Sequence, residues 1–233
     1  MARSQRIRGI LRSFRKWLVI AALALLAAPT VLVALYAVVD PPLTPLMVIR
    51  LLAGEGLDKR WMPLERISPH LPEAVIAAED NRFCEHHGFD WKELKGQLDR
   101  VFQGERPRGA STITMQTAKN ILLWPARDPL RKLLEAWLTP QIELMWSKRR
   151  ILEVYLNVAE FGAGIYGAEA ASRTFFGRAA SNLDAGHAAL LAAVLPDPRQ
   201  FSPVKPSAYI RHRAGVIRHR IAQLGPLLAC ART

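Results

Sequence analysis

The sequence is poor in cysteine: only Cys84 and Cys230 occur among its 233 residues. Two cysteines cannot build a disulfide scaffold or a cysteine-rich zinc site, so both of those classes are excluded. A wholly disordered chain is excluded too, because hydrophobic residues make up 50% of the sequence and support a packed core. The length is that of one ordinary domain, with room for an appendage.

Charge is absent from residues 17–39, whereas residues 1–16 carry six basic residues and no acidic residue. At about 1.5 Å per residue, the uncharged run would extend roughly 34 Å as a helix, enough to cross a bilayer core. It is too long for the apolar region of a signal peptide, and Asp-Pro-Pro follows it instead of a cleavage site. We therefore predict a basic cytoplasmic tail over 1–16 and a single uncleaved transmembrane helix over 17–39.

The net charge of +12 suggests an anionic partner such as nucleic acid, phosphate or anionic lipid. Half of that excess lies in the tail, since residues 40–233 contain 26 basic and 20 acidic residues. We therefore predict no nucleic-acid binding and keep phosphate or lipid as the anionic partner.

No stretch of the sequence alternates apolar and polar residues as a half-exposed strand does, and no repeat occurs. Three prolines within 40–45 predict a stiff linker, which we assign to 40–58, followed by a mainly α domain over 59–233. We expect Pro140 to kink or split one of the helices. Apolar residues recur at helical spacing in four segments: 73–80, 130–161, 185–195 and 209–228. The last of these predicted helices has a basic face.

Three short motifs have simpler explanations than a functional one. The G-x-G-x-x-G pattern at 162–167 follows a helical run and lacks a surrounding βαβ unit, so we predict a turn. Ser-x-x-Lys occurs at 13–16 and 202–205 without its usual partner motifs, which indicates chance. His86 and His87 are adjacent and lack the i, i+4 spacing of a helical metal pair.

Polar residues form three further clusters. Glu79 and Asp80 end an apolar helix, and adjacent side chains there point about 100° apart, so one of them faces a given cleft. Residues 109–120 are rich in hydroxyls and amides, which suit sugar or phosphate oxygens but also suit a helix start capped by Ser111 or Thr112. For Glu79 and Asp80, the alternative to a functional site is an acidic helix end that faces solvent.

The third cluster is Arg131, Lys132 and Glu135, which share one helix face. Lys148 follows at the predicted start of the next helix. Several cations and one acid near a membrane suit a lipid-linked phosphate. A surface salt-bridge set is the alternative explanation.

In this order, the clusters resemble the family 51 glycosyltransferase domain of monofunctional and bifunctional peptidoglycan polymerases. The resemblance covers roughly 60–210 and implies a lysozyme-like, mainly α fold with a large lobe and a smaller membrane-proximal lobe. The matching segments are 77–90, 109–120, 131–135, 147–157, 162–177 and 188–203.

The resemblance implies that lipid II is polymerised into β-1,4 glycan strands, with inversion at the donor MurNAc C1 and release of undecaprenyl diphosphate. It assigns Glu79 as the general base for the acceptor hydroxyl. Glu135 matches a second essential carboxylate, which orients cations or holds Mg²⁺ or Mn²⁺ at the diphosphate. No other cofactor is expected. It assigns substrate-binding or site-shaping roles to ten further residues: Asp80, His86, Ser111, Thr112, Gln116, Lys119, Asn120, Arg131, Lys132 and Lys148.

The expected partners are lipid II, the growing glycan strand, the membrane, transpeptidases and proteins of cell division or elongation. We expect a bacterial inner-membrane protein with a periplasmic catalytic domain and no transpeptidase domain before its last residue, Thr233. In that compartment Cys84 and Cys230 can oxidise together if they are close. Apolar residues over 46–52 are expected to lie partly in the bilayer.

One position departs from the family pattern: Met115 stands where glutamine is usual, which puts one polar contact in doubt. Two other functions fit part of the sequence. A lytic, lysozyme-like hydrolase would share the fold and a catalytic glutamate, but would not need cations around a diphosphate. A non-enzymatic membrane-anchored scaffold would not need Glu79.

Overall fold

The computed structural model describes residues 2–105, 109–126 and 128–232, with side chains from residue 12 onward except at four positions of the N-terminal helix (22, 23, 25 and 26) and at residue 232. The chain divides into two compact units, Met1–Val39 and Asp40–Thr233.

The first unit contains one helix, α1 (Ala2–Tyr36), which is 35 residues long and includes Pro29. The helix continues without a break across residues 16 and 17, where the predicted tail meets the predicted transmembrane helix. In the part of the chain that the structure describes, no helix has both the length and the apolar character needed to cross a membrane. The predicted span also includes the four positions without described side chains, and it stays a prediction.

The second unit is mainly helical, as predicted. Three short 3₁₀ turns, at Leu64–Arg66, Ala180–Asn182 and Gly225–Leu228, connect its longer elements. Its helices are α2 (Pro45–Leu52), α3 (His70–Glu79), α4 (Trp91–Phe102), α5 (Ile113–Leu122), α6 (Pro129–Met145), α7 (Lys148–Val158), α8 (Ala168–Phe176), α9 (Ala185–Val194), α10 (Ala208–Leu224) and α11 (Ala229–Arg232).

Side-chain caps fix where several of these helices begin. Asp90, Thr112 and Asp128 accept hydrogen bonds from backbone amides three residues later, at 3.0, 3.2 and 2.8 Å. Each bond satisfies an amide that has no partner within the helix. Thr112 is one of the two caps that the sequence offered for α5.

Of the two effects predicted for Pro140, splitting of the helix is wrong. Pro140 lies inside α6, which continues to Met145, and the chain breaks at Trp146–Ser147. Ser147 starts the new helix because its hydroxyl accepts from the Arg150 amide at 3.2 Å. The predicted helix over 209–228 likewise ends early, at Leu224. Helices α2, α4 and α8 were not predicted.

A small sheet lies beside the helices. Its strands β1 (Asp58–Lys59), β2 (Glu160–Gly162) and β3 (Ile165–Tyr166) are ordered β1-β3-β2. β1 is parallel to β3, and β2 is antiparallel to it. Gly164 turns the hairpin with a φ of +70°, and a Cβ there would overlap the carbonyl oxygen of Glu55. The pattern at 162–167 is therefore a turn, as predicted.

The predicted linker is part of the second unit. It contains α2, and the Lys59 ammonium donates to the Pro42 carbonyl at 2.9 Å and also to the Pro41 carbonyl. Asp40 binds the Arg150 guanidinium at 2.9 Å. These contacts fix the start of the unit on its own helices.

Two helix groups form the core that carries the cleft. Helix α3 packs against α9 and α10, and α5 packs against α6 and α7. A disulfide joins Cys84, on the loop after α3, to Cys230 in α11, with the Cα atoms 5.6 Å apart. The two cysteines are therefore close, which the sequence left open.

Candidate active site

A cleft of about 810 Å³ opens where the end of α3, the start of α5 and the side of α10 meet. Glu79 comes from α3, Ser111 and Gln116 come from the α5 region, and Arg213 comes from α10. The cleft therefore brings residues from distant parts of the chain around one carboxylate.

Glu79 is the last residue of α3, and its side chain is only 13% exposed. One carboxylate oxygen accepts from the Gln116 amide at 3.0 Å, and the other lies 3.3 Å from the Arg213 guanidinium. Burial raises the pKa of Glu79, against the opposing effects of Gln116, Arg213 and Lys119. A carboxylate with a raised pKa and access to a cleft has the properties of a general base.

Asp80 has a different role from its neighbour, since its side chain is 2% exposed. Its carboxylate accepts from His86 Nε2 at 2.9 Å and from the Ile113 amide, at the start of α5, at 3.0 Å. His86 Nδ1 accepts from the Gly88 amide at 3.2 Å, so the ring proton lies on Nε2. Asp80 and His86 therefore join the end of α3 to the start of α5.

Thr112 belongs to the same network. Its hydroxyl donates to the Gly88 carbonyl at 2.6 Å while also capping α5. Gly88 has a φ of +93°, and a Cβ there would lie 2.7 Å from the Thr139 methyl carbon. The Thr112 hydroxyl thus both donates and accepts a hydrogen bond within the protein.

The predicted cation cluster forms as the spacing indicated. The Lys132 ammonium lies 2.7 Å from the Ser111 hydroxyl and 2.9 Å from one oxygen of Glu135. Arg131 pairs with the other oxygen of that carboxylate. Burial lowers the pKa of Lys132, and the charges of Arg131 and Lys119 lower it further. Lys119 therefore acts electrostatically on both this cluster and Glu79.

A divalent metal does not fit at Glu135, because cations already engage both carboxylate oxygens and the side chain is 4% exposed. Over residues 2–105, 109–126 and 128–232, no three His, Cys, Asp or Glu side chains form a group suited to a metal. We derive no step through a metal.

Other predicted site residues lie apart from these two centres. The Lys148 ammonium binds Glu143 at 2.8 Å and lies 4.5 Å from the centre of the Phe83 ring, so it pairs with Glu143 and not with Glu135. Asn120 is buried on α5. Met115 is buried and is not among the residues that line the cleft, so no cleft contact depends on it.

Sequence reasoning missed three residues that support the site. Arg213 reaches Glu79 from α10, Glu143 accepts from Lys148 and from the Thr114 hydroxyl, and Tyr155 donates to Gln116. The basic face predicted for the last long helix was the only sequence feature that pointed toward Arg213.

A helical domain with a buried carboxylate and a cation cluster in one region has the parts of an enzyme that transfers glycosyl groups from an anionic leaving group. The transglycosylase family matches residues 47–222. The chain therefore belongs to the transglycosylase family, which confirms the resemblance found in the sequence.

Several biosynthetic peptidoglycan transglycosylases are similar to this chain. The protein from Rhodospirillum centenum is 57% identical over 88% of both chains. The one from Caulobacter vibrioides is 50% identical over 88% of this chain and 90% of its own. The one from Bdellovibrio bacteriovorus is 48% identical over 97% of this chain and 92% of its own.

Proposed function

We propose that this chain is a peptidoglycan glycosyltransferase of cell-wall synthesis that polymerises lipid II into β-1,4 glycan strands. Membership of the transglycosylase family supports the activity. The observation that carries the chemistry is the carboxylate of Glu79, which is mostly buried, has a raised pKa and lines the cleft.

In the proposed reaction Glu79 accepts the proton of the 4-hydroxyl of the acceptor GlcNAc. The freed electron pair attacks C1 of the donor MurNAc from the face opposite the diphosphate. The bond from C1 to the diphosphate oxygen breaks as the new bond forms, and undecaprenyl diphosphate leaves with the electron pair. One displacement converts the α-linked donor into a β-1,4 linkage.

The leaving diphosphate needs fixed positive charge more than it needs a proton donor. Lys132 is suited to this role because its side chain is 47% exposed while Ser111 and Glu135 hold its ammonium. Arg131, paired with Glu135, adds a second cation. Glu135 thereby orients the cations, and Lys119 lies within electrostatic range of both the base and the cluster.

We also propose that the domain works on the periplasmic side of the inner membrane, anchored by residues 17–39 with the basic tail in the cytoplasm. The disulfide supports this location, because disulfides persist in oxidising compartments. Exposed apolar side chains on α2, including Val48 and Leu52, suit contact with lipid, whereas Met47 is buried in the unit. Transpeptidases and proteins of cell division or elongation are the proposed partners.

The membrane proposal is tested by fractionating cells that produce the full chain. Placing two aspartates within 17–39 should release the protein from the membrane fraction. Replacing Val48 and Leu52 by Asp should lower retention further in that background. Unchanged retention of both variants would contradict the anchor and the lipid contact.

The activity is tested by incubating the purified protein in detergent with fluorescent lipid II, with Mg²⁺ or with EDTA. Glu79→Gln is compared with Glu73→Gln, a control on the same helix that does not line the cleft. Lysozyme-sensitive polymer from the wild type and the control, but not from Glu79→Gln, is expected in both solutions.

Other results would overturn specific parts of the proposal. Purified glycan strands that shorten on incubation would indicate a lytic hydrolase. No polymer in either solution would favour the scaffold function. Equal polymer from wild type and Glu79→Gln would keep the activity and remove the assigned base. Polymer only with Mg²⁺ would contradict the metal-free arrangement at Glu135.

A further inference from the structure

A buried tyrosine, Tyr155, is connected to the proposed base, Glu79, through Gln116. The Tyr155 hydroxyl, on α7, donates to Gln116 Oε1 at 3.0 Å, and Gln116 Nε2, on α5, donates to Glu79 Oε2 at 3.0 Å. Tyr155 is 1% exposed, so neither solvent nor substrate reaches its ring. Three helices thus contribute one continuous row of hydrogen bonds ending at the carboxylate.

Tyr155 and the ionised carboxylate of Glu79, which can only accept, together set the direction of this row. A glutamine amide has a donating and an accepting end, and rotation by half a turn exchanges them. A hydroxyl that donates to Oε1 fixes that oxygen toward α7 and turns Nε2 toward Glu79. Burial raises the pKa of the Tyr155 hydroxyl, so this group keeps the proton that it donates.

We infer that Tyr155 is a positioning residue: it holds the Gln116 amide with its donating end toward Glu79. This inference deepens the proposed function and rests on it for the role of Glu79. The catalytic group is Glu79 itself, and Tyr155 acts on it only through Gln116.

The consequence for proton transfer follows from the chemistry of the amide. A donor favours the ionised carboxylate, which is the form that accepts a proton, whereas a flipped amide would offer Oε1 to the protonated form. The other charged groups acting on Glu79 are Arg213 and Lys119, which favour the ionised form, and Asp80, which disfavours it. Two further titratable groups lie on the helices packed against α3, and their contacts are with other groups than Glu79. Arg220 on α10 donates to the Ala77 carbonyl, and His187 on α9 binds Asp184.

The test is Tyr155→Phe, which keeps the buried ring and removes only the hydroxyl. At pH values on the acidic limb of the pH–rate profile, below the pKa of Glu79, we expect the polymerisation rate to fall about fivefold, the usual worth of one such hydrogen bond. The acidic limb of the pH–rate profile should move to higher pH, so the loss shrinks as the pH rises. Tyr166→Phe is the matched control, because the Tyr166 hydroxyl is buried with no hydrogen-bond partner in the described structure. Its profile should match the wild type.

A second measurement separates this inference from the proposed activity. A ¹³C NMR titration of the glutamate carboxyl carbons reports the pKa of Glu79 in full-length protein whether or not polymer forms, with Glu79→Gln assigning its resonance. Tyr155→Phe should raise that pKa and should have no further effect in a Gln116→Ala background. An unchanged pKa in folded Tyr155→Phe protein would overturn the inference, while an inactive wild type with a shifted pKa would overturn only the activity.

Discussion

The two glutamates of the site differ in their surroundings more than in their burial. Glu135 has a cation on each carboxylate oxygen, whereas Glu79 has a neutral amide on one oxygen and a guanidinium 3.3 Å from the other. The arrangement at Glu135 uses both carboxylate oxygens to hold cations in position. The arrangement at Glu79 leaves its carboxylate able to exchange a proton. The same residue type is thus suited to two different purposes because different neighbours reach it.

The sharpest way to break this comparison is to remove each carboxylate and supply a small acid in its place. Glu79→Ala should lose roughly 10³-fold in polymerisation rate, the usual contribution of a general base. Added formate should restore part of that rate, because the cleft gives it access to the vacated position. Formate should not restore Glu135→Ala, whose defect is misplaced cations. Rescue of both variants, or of neither, in the lipid II assay would contradict the difference in roles.

The disulfide anchors the loop that follows Glu79, since Cys84 comes five positions after that residue. Replacing both cysteines by serine should lower the free energy of unfolding by about 3 kcal/mol, the typical contribution of a native disulfide. Urea denaturation of the oxidised wild type and the double variant measures this. A reductant should lower wild-type stability and leave the double variant unchanged; equal responses would contradict the prediction.

The two glutamates should differ in how their replacement by glutamine changes the free energy of unfolding. Glu135→Gln should cost about 2 kcal/mol, because it leaves Arg131 without its buried countercharge while the half-exposed Lys132 turns to water. Glu79→Gln should not destabilise the protein. The folded-state pKa of Glu79 is raised, so ionisation above that pKa costs folding free energy, and glutamine removes this cost. Thermal unfolding of both variants across pH checks the signs; a loss in Glu79→Gln as large as in Glu135→Gln would contradict them.

The smallest expected effect concerns Arg213. Its positive charge lowers the pKa of Glu79 against the effect of burial, so Arg213→Met should raise that pKa and move the acidic limb of the pH–rate profile upward. Arg211→Met is the control, because Arg211 donates to the Pro206 carbonyl from the same helix. An unmoved limb in Arg213→Met would mean that the guanidinium does not act on the base.

The sequence predicted the acid pair and the cation cluster because their spacing along a helix decides which side chains share a face. Glu135 lies four residues after Arg131 and three after Lys132, and the structure pairs it with both. The same local reasoning offered Ser111 or Thr112 as the cap of α5, and Thr112 is that cap. It also predicted the turn at 162–167.

Contacts between distant helices were not predictable in this way. Helix α10 carries several arginines, and only its packing against α3 decides that Arg213 is the one that reaches Glu79. Tyr155 looked like an ordinary core residue for the same reason. The break after Met145 coincides with the Ser147 cap and not with Pro140, and the strands are too short for alternation to appear.

The disulfide also sets an order of events in the making of the protein. Cys84 and Cys230 are 146 residues apart, so at about 5–20 residues per second translation reaches the second roughly 7–30 s after the first. During that interval the thiol of Cys84, on the loop after α3, has no native partner. Any bond it forms with another thiol must be exchanged before the native disulfide can form. Where such a bond forms, maturation of this enzyme depends on thiol exchange as well as on oxidation.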